Sequence, residues 1–132
     1  MNWTDTRAPT LDEIEQLASR AFIDLPDDFR RLTGDVMFMV QDFPSEDVID
    51  EMQLETAFDI LGLFSGPTLA DREGASASHE PTMIFLYRRP ILDFWAESGE
   101  PLGHIVRHVL IHEIGHHFGL SDEDMEQIEE GE

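Results

Sequence analysis

The sequence predicts an α+β fold in which helices pack with a small mixed β-sheet of about three strands. Its length of 132 residues suits one compact domain with a real hydrophobic core. Apolar residues recur at three- and four-residue spacing in some segments, which is typical of amphipathic helices, and form short runs in others, which is typical of strands. The sequence shows neither an internal repeat nor a linker, so we expect a single domain over residues 1–132.

Two helical segments are predicted near the N-terminus. Thr10 can cap the first segment, because Glu13 stands at the capping-box position and apolar residues follow at helical spacing as far as Phe22. Pro26 is suited to open a second, short segment that continues to about Leu32.

Three strands are predicted in the middle of the chain, at residues 36–43, 60–67 and 82–87. Ser45 follows the first strand and is expected to begin a short helix or a turn. The segment 67–80 is rich in small and polar residues, so it is predicted to be a loop.

Three helices are predicted after the last strand. The first covers residues 90–96, and the main helix runs from Pro101 to about residue 118, where Gly119 ends it. A final short helix follows Ser121, whose side chain can cap it together with Asp124.

The composition limits the functions that the chain can have. Cysteine is absent, which excludes disulfides, thiol nucleophiles and zinc sites with sulfur ligands. The net charge is −21 and every basic residue is an arginine. A nucleic acid is therefore not an expected partner, because phosphates are bound by clustered basic residues. The strong negative field serves solubility or steers cationic peptides or metal ions, and composition does not separate these functions.

No targeting or membrane segment is recognisable in the sequence. The N-terminus lacks a basic region followed by an apolar stretch, and the longest apolar runs, near residues 36–40 and 84–87, are far below membrane-spanning length. We therefore expect a soluble, cytoplasmic protein.

Residues 112–122, HEIGHHFGLSD, form the most informative segment, an HExxH motif extended to HExxHxxGxxD. On a helix, His112 and His116 lie about 40° apart around the axis and one turn apart along it, so both imidazoles can bind one ion. Glu113 lies about 100° from His112, where it can accept a proton from water held by the metal. Glu113 is therefore the predicted general base.

The third ligand is predicted to be Asp122. Gly119 can adopt the left-handed conformation that ends a helix, and this would turn Asp122 back toward the metal. Three protein ligands leave one tetrahedral position open, as in catalytic zinc sites, and the expected reaction is hydrolysis, most naturally of a peptide bond. Glu126, Glu129 and Glu130 remain alternative third ligands, although few residues are available to bring them back to the metal.

The extended motif resembles that of the metzincin clan of zinc endopeptidases, in which the third ligand is usually histidine and in some members aspartate. Across most of its length the chain is similar to small bacterial proteins assigned as metallopeptidases with a minimal matrix-metalloprotease-like domain. Three further segments carry this resemblance: residues 25–32 (LPDDFRRL), 61–67 (LGLFSGP) and 84–91 (IFLYRRPI).

The resemblance implies that His112, His116 and Asp122 hold Zn²⁺ and that Glu113 is catalytic. It also implies a compact α+β fold with a zincin-like active-site helix near the C-terminus. Larger metzincins place a methionine-containing turn below the metal, whereas here Met125 is the only methionine after the motif and lies in the predicted last helix.

The other histidines are not predicted to be metal ligands. His104 and His108 continue the four-residue spacing of the motif, but a second metal bound there would lack carboxylate ligands, so packing or support of the site is the favoured role. His117 points away from the metal side of the helix and is expected in the core, and His79 falls in the predicted loop.

Two further features of a hydrolytic site stay open at the sequence level. Tyr87, Arg88, Arg107 and His108 are candidates for stabilising an oxyanion, and the sequence does not choose among them. The strand near residues 61–64 either offers an edge to an extended substrate or lies inside the sheet.

Gly62, within the second predicted strand, marks a bulge or a close approach of another part of the chain.

Two functions are consistent with these observations. The favoured one is a monomeric zinc metalloendopeptidase that acts on a peptide or protein substrate. The alternative is a non-catalytic, zinc-binding structural or protein-interaction module, in which the open position never receives a peptide.

Overall fold

The computed structural model of the chain describes residues 3–66 and 82–130. Its elements, in chain order, are α1 (Leu11–Ile23), α2 (Asp27–Arg30), β1 (Val36–Gln41), α3 (Glu46–Glu51), β2 (Gly62–Ser65), β3 (Thr82–Tyr87), α4 (Arg88–Ser98), α5 (Leu102–His117) and α6 (Asp122–Glu130). The α+β prediction is confirmed. The predicted loop at 67–80, with His79, lies outside the described residues.

The predicted helix starts are confirmed where a side chain can cap the helix. At α1 the Glu13 amide donates to Thr10 Oγ1 at 3.1 Å, while the Thr10 amide donates to Glu13 Oε1 at 2.9 Å. At α3 the Val48 amide donates to Ser45 Oγ at 3.2 Å, so the segment after Ser45 is a helix. These bonds satisfy amides that the helix itself leaves without partners.

The three described strands form one mixed sheet with the order β1-β3-β2. β1 is parallel to β3, and β2 is antiparallel to it with Phe64 opposite Ile84. The central strand β3 is the most buried, and its Ile84 and Leu86 are fully enclosed. Within residues 3–66 and 82–130, β2 pairs with β3 alone, so it forms an edge of the sheet.

Helix α5 forms the centre of the core, where it packs against α1, β2, α4 and α6. Its buried residues are Ile105, Val106, Val109, Leu110, Ile111, Ile114 and Gly115. A Cβ on Gly62 of β2 would lie 2.7 Å from Val109 Cγ1 and 2.9 Å from the Phe85 carbonyl oxygen. A bulge and a close approach of another part of the chain were the two predicted roles of Gly62, and the structure shows the close approach. This approach brings β2 against the motif helix.

Several element boundaries differ from the prediction, among them the end of β1 and the start of α4. β1 ends at Gln41 because the next residue, Asp42, turns to bond α4: its carbonyl accepts the Arg89 amide at 3.0 Å. α4 begins at Arg88, before the predicted Pro90, because β3 leads directly into it. Pro90 is tolerated there because first-turn amides have no partner within the helix.

Among the described residues, none of the helices has the length and apolar character needed to cross a membrane.

Candidate metal centre and active site

The turn between α5 and α6 decides which side chains meet at the motif. Gly119 has a φ of 77°, and its amide donates to the His116 carbonyl at 3.2 Å. The Leu120 amide donates to the Gly115 carbonyl at 2.8 Å, which completes a Schellman ending. The predicted left-handed glycine is therefore confirmed, and α6 runs back along α5.

The start of α6 is also as predicted. The Asp124 amide donates to Ser121 Oγ at 3.1 Å, and the Ser121 amide donates to Asp124 Oδ2 at 3.4 Å. Met125, one residue further on, is fully buried and packs directly against Gly115 of the motif. This contact holds the last helix against the helix that carries the histidines.

His112 and His116 lie on successive turns of α5, with ring centroids 5.6 Å apart and ring planes at 80°. His112 is half-buried and His116 is exposed, so the pair faces solvent on one side. Burial lowers the pKa of His112, and the neighbouring charges of His108 and His116 lower it further, against the opposing carboxylates Glu129 and Asp122. The neutral imidazole that binds a metal is thereby favoured.

Glu113 is half-buried next to the edge of the sheet. Burial raises the pKa of its carboxyl group, while the charge of His116 and a hydrogen bond from the Phe64 amide act in the opposite direction. The amide of edge strand β2 therefore fixes the carboxylate, and the low-dielectric surroundings increase its affinity for a proton. Both properties suit a general base.

Tyr87 lies close to the same carboxylate. Burial raises the pKa of its phenol, and the charge of Glu113 raises it further. The residue is only 1 % exposed, so it is enclosed by the protein. Its position at the end of β3, beside the motif helix, accounts for this burial.

Asp122 occupies the first position of α6 and is exposed. Its negative charge reaches His112, where it opposes the lowering of the imidazole pKa. However, the donor atoms of His112, His116 and Asp122 do not form a set within 4.8 Å in the described part of the chain. The turn brings the aspartate near the motif without placing it at the two rings.

A different set of donors meets at His112. His108, His112 and Glu129 bring one ligand atom each to within 4.8 Å of one another. Glu129 Oε1 contacts His108 Nδ1 and lies 3.4 Å from His112 Nε2. The expectation that a metal beside His108 would lack a carboxylate is therefore wrong. Imidazole nitrogens and carboxylate oxygens are ordinary zinc ligands, so the donors on this side of α5 fit that ion.

Sequence reasoning missed this arrangement although one signal was present. A helix capped by Ser121 that runs for nine residues extends about 13 Å, or two and a half turns, back along its neighbour. That length is enough to carry Glu129 past His116 to His112 and His108.

Two of the four oxyanion candidates are engaged elsewhere. Arg88 Nε donates to the Pro9 carbonyl at 2.6 Å, and its Nη1 lies 3.1 Å from Asp42 Oδ1. Arg107 donates to the carbonyls of Glu129 at 3.0 Å and Ile128 at 2.9 Å.

His108 is the third candidate and contacts Glu129. Tyr87, the fourth candidate, lies next to Glu113, whose charge adds to the effect of burial in raising the pKa of the phenol.

His117 packs in the core as predicted, with its ring centroid 4.0 Å from that of Phe64 and 5.0 Å from that of Phe118. Its Nε2 is buried and has no hydrogen-bond partner among the residues that the structure describes. His117 thus supports the contact between α5 and the edge strand.

The family comparison agrees with this geometry. A family model described as a zincin-like metallopeptidase matches residues 33–132, which include the sheet, α5 and α6. The chain belongs to the zincin-like metallopeptidase family. No curated protein matches it. Membership supports zinc-dependent peptidase chemistry in general, and the expected resemblance to small metallopeptidases is confirmed.

Proposed function

We propose that this zincin-like metallopeptidase is a zinc-dependent endopeptidase in which Glu113 is the general base and His112, His116 and Asp122 hold the metal. The observation that carries the proposal is the setting of Glu113. Its carboxylate is half-buried beside His116, accepts the Phe64 amide, and has a raised pKa. A carboxylate held in this way, next to two histidines on one helix face, is suited to take a proton from water.

The chain's own residues supply position and proton transfer. When bound, zinc would supply a Lewis acid that activates water and polarises the substrate carbonyl. His112 and His116 would provide two nitrogens from one rigid helix, and a small shift of the α6 start would bring in the Asp122 carboxylate. Glu113 accepts the proton of the attacking water and can return it to the leaving amine.

The edge strand β2 supports the choice of a peptide as substrate. Its Phe64 amide donates to the general base, so the edge that β2 forms within residues 3–66 and 82–130 lies beside the reacting groups. An extended peptide can add to such an edge through main-chain hydrogen bonds. That the enzyme works as a cytoplasmic monomer remains a prediction.

The decisive experiment compares the wild type with Glu113→Ala on a broad peptide library. We expect the variant to bind zinc with unchanged stoichiometry and to lose cleavage by at least about a hundredfold, because general-base catalysis contributes 10²–10⁴-fold. Glu15→Ala, which removes an exposed glutamate of α1, is the matched control and should cleave as the wild type does. Equal cleavage by Glu113→Ala would remove Glu113 from the mechanism.

A non-catalytic zinc-binding module is the second candidate. It is favoured because the donor atoms of His112, His116 and Asp122 do not form a set within 4.8 Å in the described part of the chain. If zinc-loaded wild-type protein cleaves no member of the library, this second function replaces the first.

A further inference from the structure

We propose that His108, His112 and Glu129 form a second divalent-metal site, which shares His112 with the motif and holds the ion away from Glu113. This site goes beyond the proposed function and does not depend on peptide hydrolysis. The two sets are alternatives for one ion, since both require His112 Nε2.

The donor atoms of His108, His112 and Glu129 lie close together. The three ligand atoms lie within 4.8 Å of one another, and Glu129 Oε1 stands between His108 Nδ1 and His112 Nε2. The two imidazole rings lie with their centroids 3.9 Å apart and their planes tilted by 30°. Small rotations of these side chains would place two nitrogens and one oxygen around a common ion, a donor set that suits zinc and related divalent metals.

The burial of the Glu129 carboxylate also favours a bound cation. Glu129 Oε1 is enclosed, and within residues 3–66 and 82–130 no donor meets it with hydrogen-bond geometry. A buried carboxylate oxygen without such a partner is costly unless a cation neutralises it. The nitrogens that face it are metal ligands when the imidazoles are neutral, so a bound ion would satisfy all three groups at once.

The fold also holds Glu129 in place. Arg107 of α5 donates to the Ile128 and Glu129 carbonyls at the end of α6, at 2.9 and 3.0 Å. This places a positive charge at the negative end of the helix and fixes the last turn against α5. The carboxylate is therefore held on a rigid element.

A route to the cluster is also present. A cleft of about 470 Å³ borders it, and its lining includes His104, His108, Glu100 and Glu129. A hydrated ion can enter through this cleft without passing the motif face of α5. Glu100 and His104 add further oxygen and nitrogen donors along the way.

The test separates the two sites by removing a ligand that only the motif uses. Metal-free His116→Ala protein is titrated with Zn²⁺ against a chromophoric chelator. It should still bind one ion per chain. Adding Glu129→Gln to this variant should weaken binding at least tenfold, whereas adding Glu15→Gln, at an exposed position of α1, should not change it.

A second measurement guards against a folding defect. The imidazole ¹⁵N resonances of His108 and His112 should both shift when Zn²⁺ is added to the His116→Ala protein. The proposal is overturned if that protein binds no zinc, if the variants with Glu129→Gln and with Glu15→Gln bind equally well, or if the His108 resonance does not move. Peptide cleavage does not enter any of these measurements, so failure of the peptidase proposal would be seen separately.

Discussion

Burial of Glu113 destabilises its charged form, and the same burial suits the residue to act as a general base. Its pKa is raised in the folded protein, mainly by burial, so the folded state binds this proton more tightly than the unfolded chain does. Stability from this group is therefore present at low pH and is lost as the pH rises from the unfolded pKa through the folded one.

Glu113→Gln should stabilise the metal-free protein at neutral pH. The amide removes the buried charge and keeps an oxygen that can accept the Phe64 amide. We expect a rise in Tm of a few degrees at pH 7 that disappears near pH 4, measured by thermal unfolding in the presence of a chelator. A variant that is less stable at pH 7 would contradict the assigned cost of burial.

His112 has the opposite titration behaviour. Its pKa is lowered, first by burial, so the folded protein favours the neutral imidazole and loses stability as the pH falls from 6.5 toward the folded pKa. In metal-free protein, the NMR titration midpoint of His112 should lie below 6.5. Zinc should accordingly be retained until the pH falls below about 6, as measured by equilibrium dialysis. A midpoint above the ordinary value would refute this prediction.

Among the elements, α6 depends on the absence of a side chain at Gly115. A Cβ at this position would lie 2.8 Å from Met125 Cγ and still closer to the sulfur, so the last helix would have to move. Gly115→Ala should destabilise the protein by about 1–3 kcal/mol, the usual cost of overpacking a core.

The double variant Gly115→Ala/Met125→Ala provides the control for this contact. It should be more stable than the sum of the two single changes predicts, because the smaller residue at 125 removes the clash. Urea unfolding of the four proteins measures this coupling. Additive effects would show that the two residues act independently.

Elements that begin or end through local chemistry were predictable from the sequence. Thr10, Ser45 and Ser121 cap their helices, and Gly119 ends α5, because each signal lies within a few residues of its effect. The prediction of Glu113 as the general base likewise rests on the spacing within the motif alone. The contact of Glu129 with His108 was not predictable in this way, since it depends on how two helices pack after a turn.

At the scale of the whole molecule, the large negative net charge is expected to affect the stability of the fold. With a net charge of −21, the folded chain repels itself, and added salt screens this repulsion. The Tm of the metal-free protein should therefore rise when NaCl is increased from about 10 to about 150 mM, a range over which the screening length falls from roughly 30 to 8 Å. A Tm that falls with salt would show that attractive ion pairs outweigh the repulsion.

The hydrogen bond from the Phe64 amide to Glu113 has a consequence for how a ligand would lie along β2. An incoming chain that hydrogen-bonds with this strand finds one of the amides already occupied by the carboxylate. The ladder of hydrogen bonds must therefore be interrupted opposite Phe64. The peptide unit of the incoming chain that lacks a hydrogen bond to β2 would be the one that faces Glu113. The register between the two strands would therefore determine which peptide bond is attacked.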